Sequence, residues 1–113
     1  MYSQEQVIGG LILFIKGELI PILPDYAKVI GGAALLKNAG KLPQLLTSDA
    51  VKQIGFIEED GSIDVDIWVQ NIKQALKEYA NGRMEIKLPM LAPITITEGD
   101  IDTLKRYIKG ELK

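Results

Sequence analysis

The sequence predicts a small α+β domain, mainly helical. An N-terminal helical hairpin packs on a central amphipathic helix, with short β-hairpin segments and a C-terminal helix beside them. Three observations carry this. Val65, Trp68, Val69, Ile72, Ala75, Leu76, Tyr79 and Ala80 recur at helical spacing and form one broad apolar stripe. Ile94-Thr95-Ile96-Thr97 alternates as a half-buried strand does. Ser3/Gln6 and Thr97/Asp100 both have capping-box spacing, in which each partner satisfies a backbone N–H of the other at a helix start. The 113 residues suit a single domain.

The elements follow in order. The first helix begins after Ser3 and runs to about Leu19, where Pro21 and Pro24 stop it. The second starts at Pro24 or Asp25, with proline suited to the first turn and the aspartate complementing the dipole. Tyr26, Val29, Ile30, Ala33 and Leu36 (or Lys37) supply its expected inward stripe, and Asn38-Ala39-Gly40 its stop. "KLPQLLTSDAVKQIGF" reads as a loop and a short helix, with Leu42, Leu45 and Leu46 tucked under the bundle. "FIEEDGSIDV" reads as a hairpin about Asp60-Gly61. Asp64 caps the Val65–Ala80 helix and Asn81-Gly82 ends it. Strands are expected near Met84–Leu88 and Ile94–Ile96. The last helix turns Ile101, Leu104, Tyr107 and Ile108 inward.

Composition narrows the chemistry. There is no histidine and no cysteine, which removes thiolate metal sites, cysteine nucleophiles and the commonest general base. The formal net charge is −2 and no basic patch stands out, so the sequence predicts no nucleic-acid partner. Only seven of the charged residues fall within residues 1–46, so that part is expected to be buried or to face a partner. "MYSQEQ" lacks the basic region of a secretory signal, and Val7–Ile15 is far shorter than a membrane span. The expectation is a soluble, cytoplasmic protein without membrane association.

"VIGG" occurs twice, at Val7–Gly10 and Val29–Gly32. Neither copy has the Gly-Lys-Ser/Thr ending of a phosphate loop or the spacing of a dinucleotide fingerprint. Close helix packing is the remaining reading. On a helical wheel Gly10 and Gly17 lie together, flanked by Gln6, Leu13 and Ile20. Gly10, Leu13, Gly17 and Ile20 are therefore the expected self-association interface, with packing inside the chain as the other reading. Gly31 and Gly32 edge the expected stripe of the second helix.

Other constellations are weaker. Glu58, Glu59, Asp60, Asp64 and Asp66 crowd nine residues. Aligned on Gly61, an EF-hand would need carboxylates where Phe56 and Ile67 stand. Glu98, Asp100 and Asp102 suit the first turn of the last helix. Trp68 sits on the apolar stripe. Lys105, Arg106, Lys109 and Lys113 suit a helix C-terminus. No cofactor or metal is expected. The sequence thus predicts a non-catalytic interaction or assembly module that self-associates, as a dimer, through its first helix. The alternative is a ligand- or metal-binding domain, or an enzyme, that uses carboxylates or lysine in a pocket the sequence does not reveal.

Overall fold

Ser3 opens the first helix as its spacing predicts. The computed structural model describes residues 2–39, 60–88 and 91–112. The Ser3 hydroxyl accepts from the Gln6 N–H at 3.1 Å, and Gln6 Oε1 accepts from the Ser3 N–H at 2.8 Å. Helix α1 spans Gln4–Phe14 and continues into one π-helical turn, Ile15–Leu19. Pro21 accounts for the widening. In a regular α-helix its ring would strike the Gly17 carbonyl and its missing N–H would break the ladder. The ladder shifts first, with Ile20 N–H donating to the Ile15 carbonyl. A 3₁₀ turn, Ile20–Ile22, carries the prolines' bend.

A second 3₁₀ turn, Asp25–Ala27, leads into α2, Lys28–Ala39. Here the face is not the expected one. Ala27, Gly31, Gly32 and Leu35 are buried, while Tyr26, Val29, Ile30 and Ala33 are exposed. Gly31 decides the orientation. A Cβ there would lie 2.8 Å from Leu23 Cδ1 and 3.2 Å from Leu91 Cδ1. The smallest residues let the helix lie close to the core, so the larger ones point away.

Helix α3 spans Val65–Ala80 and α4 spans Glu98–Ile108. Asp64 accepts from the Ile67 N–H at 3.2 Å. Asn81 takes the left-handed conformation, φ 54°, and Gly82 follows at φ 83° with its N–H on the Leu76 carbonyl at 2.8 Å. This closes α3 where the Asn-Gly pair predicts. Val65, Val69 and Leu76 are buried, with Trp68, Ile72 and Ala80 packed partly against the same core. Ala75, on the margin of the expected stripe, is exposed instead, and the Tyr79 side chain lies outside the described residues. Strands β1, Arg83–Ile86, and β2, Ile94–Thr97, pair antiparallel with Met84 opposite Ile96 and Ile86 opposite Ile94. Ile94 and Ile96 face the core and Thr95 and Thr97 face out. Thr97 and Asp100 then form the second capping box.

One arm of the hairpin expected about Asp60-Gly61, residues 56–59, lies outside the described residues, as do the short helix and Leu42, Leu45 and Leu46. Gly61 does turn, at φ 85°. Ile63 exchanges both backbone hydrogen bonds with Tyr2, at 2.7 and 3.1 Å.

Helix α4 joins the parts. It packs on α1 and on α3, so the N-terminal segment meets the central helix largely through it. All four inward residues expected of α4, Ile101, Leu104, Tyr107 and Ile108, are buried.

Two neighbouring glycines test the α1–α4 crossing. A Cβ at Gly10 would lie 2.6 Å from Ile108 Cα, whereas one at Gly9 would meet nothing within 4 Å. Gly10→Ala is expected to destabilise by about 1–3 kcal/mol through overpacking. Gly9→Ala is expected to stabilise by up to about 1 kcal/mol, since it removes only the backbone cost of glycine in a helix. Urea unfolding of both variants measures the two signs; equal signs contradict the crossing.

Candidate functional site

The residues assigned to self-association are partly occupied within the chain. Gly10 lies beneath the Ile108 backbone. Gly17 faces the Tyr107 hydroxyl, which would be 2.5 Å from an added Cβ. That hydroxyl donates to Glu18 Oε1 at 2.9 Å, and the Tyr107 ring meets Phe14 edge-on with centroids 6.1 Å apart. Ile20 is half-buried, its side chain against Gly32. Leu13 is 44% exposed. The four therefore do not share one open surface. Glycine carries little weight on a hydrophobic wheel. In the fold, Gly10 and Gly17 continue the row of Val7 and Phe14, and the row as a whole receives α4.

The acidic residues also have partners. Asp60 Oδ1 accepts from the Ser62 hydroxyl at 2.6 Å and the Ser62 N–H at 2.9 Å, which holds its pKa low. Asp64 and Asp100 cap helices. Asp66 accepts from Lys109 at 2.8 Å and lies 3.7 Å from Lys105. Asp102 meets Lys73 at 3.0 Å, and Glu98 meets Lys77 at 3.5 Å. Arg106 pairs with Glu111 at 3.6 Å. Among the described residues no three carboxylates converge as a metal site. Glu58, Glu59 and Lys113 lie outside those residues.

A shallow hollow of about 380 Å³ is lined by Ser3, Gln4, Glu5, Asp60, Gly61 and Ser62. Several of its polar groups are already engaged. Ser3 caps α1, and Asp60 holds Ser62. It offers an open, polar rim rather than an enclosed site.

The outer face of α2 is different in kind. Tyr26 is 80% exposed, Val29 82% and Ile30 64%. They share one side of the helix by spacing, with Ala33 exposed beyond them. Ile22, on the preceding turn, is 65% exposed. Charges bound this row. Asp25 stands at its start, bonded to Lys28 at 2.8 Å, which lowers the aspartate pKa. Lys37 stands at its end, exposed and in no ion pair with a described residue. Hydrophobicity alone predicts this row inside. The spacing of Ala27, Gly31 and Leu35, two small residues one turn apart, was the available signal of a close-packed face.

No protein family, curated protein or solved structure matches this chain.

Two titrations follow from the geometry. Hydrogen bonding from Lys109 holds Asp66 below the ordinary 3.8, so the folded state favours the carboxylate. That contribution is present above 3.8 and is lost as pH falls through the lowered value. The Tm difference between the wild type and Asp66→Asn is expected to shrink below that pH. The Tyr107 bond to Glu18 favours the neutral phenol and raises its pKa above 10.0. That contribution stands below 10.0 and is lost as pH rises through the raised value. The Tm difference for Tyr107→Phe is expected to shrink on that alkaline side. Thermal unfolding followed by circular dichroism reads both; differences constant with pH contradict the assignments.

Proposed function

We propose that this chain is a non-catalytic interaction module that docks through the outer face of α2. One observation carries the reading: Val29 and Ile30 on α2, and Tyr26 on the 3₁₀ turn that leads into it, stand well into solvent while Ala27, Gly31 and Gly32 face the core. Contiguous apolar surface of this sort marks interaction sites, and tyrosine is enriched in them. The fitting partner is another protein helix with an apolar stripe between charged ends, laid against α2. The lack of histidine and cysteine favours binding over catalysis. So does the engagement of Asp64 and Asp100 in helix caps and of Asp66 and Asp102 in ion pairs.

The test uses a photo-crosslinking side chain at Val29 in the full chain, expressed in its own cells. Gln70, exposed on α3, serves as the control position. Discrete adducts are expected from Val29 and not from Gln70, and Tyr26→Asp should remove them. Stability should stay within about 0.5 kcal/mol, because the substituted side chain is outside the core. Adducts absent from Val29, or equal from both positions, contradict the proposal.

A further inference from the structure

We infer that the partner of the α2 face is a second copy of this chain, with the two α2 helices antiparallel about a two-fold axis; this rests on the docking role proposed above. The charges carry the argument. Asp25 begins the apolar row and Lys37 ends it. Asp25 keeps a side chain 97% exposed although it holds Lys28, so the carboxylate has open acceptor positions. Lys37 is exposed and pairs with no described residue. Turning one copy end over end brings each Asp25 to the other copy's Lys37. A parallel pairing instead sets like charges side by side.

The apolar row has the same symmetry. With Asp25 opposite Lys37, Val29 falls opposite Ala33 of the second copy. Large then meets small on both sides of the axis, which lets the helices approach closely. Antiparallel alignment also sets the helix dipoles head to tail. A two-fold contact needs one self-complementary patch, and this row supplies it.

The size of the patch sets the strength. The largest apolar patch on an ordinary monomer is roughly 300–600 Å². Two such patches bury roughly 600–1,200 Å² together, the range of weak, reversible association. The inferred dimer therefore forms and dissociates with concentration.

Sedimentation equilibrium and dilution-series NMR on the full chain test this, from about 10 μM to 1 mM and at two salt concentrations. A reversible dimer is expected, with shift changes confined to α2. Val29→Asp should weaken it at least about tenfold, as loss of a central contact does. Asp25→Lys and Lys37→Asp should each weaken it about two- to thirtyfold at low salt, since two exposed ion pairs are lost. The double variant should recover the wild-type affinity. Circular dichroism checks folding, and the lysine variant is a surface change remote from the core. A monomer at 1 mM overturns the inference. So does a dimer insensitive to Val29→Asp, or one in which the double variant fails to recover. A monomer at 1 mM combined with discrete adducts at Val29 heavier than two chains would overturn self-pairing and leave the docking role standing. Loss of both sinks the docking role as well.

Discussion

At Gly10, helix α1 comes close enough to α4 that a single methyl group would overlap the Ile108 backbone. Most of the described architecture depends on that approach. It brings residues near the two ends of the chain together and closes the core over Val7, Phe14, Ile101 and Leu104. Seven residues along α1, Gly17 repeats the opening. There the space admits the Tyr107 hydroxyl, which reaches Glu18. The π-helical turn lies at the same place, where the ladder widens before Pro21. One seam of two glycines, an aromatic pair and a tyrosine–carboxylate bond thus holds the N-terminal segment. The Tyr2–Ile63 bridge anchors its start beside α3.

Charge is divided between the halves in a way this packing explains. Helices α3 and α4 face each other across Lys73–Asp102 and Lys77–Glu98, with Asp66 meeting Lys105 and Lys109. Partly exposed pairs of this kind contribute little each to stability. The N-terminal part carries few charges because much of α1 lies under α4. Helix α2 has few charges for another reason. Its inner face is small and close-packed, and its outer face is apolar. That outer face is the feature packing within the described structure leaves unexplained, and the functional proposal rests on it.

The local elements were legible in the sequence because their causes are local. Both capping boxes, the Asp64 cap and the Asn81-Gly82 stop act within a few residues. The stripes of α3 and α4 were legible too, since each has one strongly apolar side and one charged side. Helix α2 lacks that contrast. Its residues are apolar or small around most of its circumference, so periodicity does not specify which side turns inward. The Gly10/Leu13/Gly17/Ile20 grouping was similarly under-determined. A glycine face shows that a backbone comes close without showing whose backbone it is.

The sequence by itself determined the mainly helical α+β class, the starts of α1 and α4, both ends of α3, the alternation of β2 and the inward row of α4. Those are set by hydrogen bonds and periodicities contained within one segment. Tertiary structure decided that α4 fills the glycine seam of α1, that Ile63 pairs with Tyr2, and that Tyr26, Val29 and Ile30 face outward. Each of these depends on how residues distant in sequence fit together. Gly31 against Leu23 and Leu91 is the clearest case. The space left by an absent side chain oriented α2, and so decided which of its residues a partner can reach.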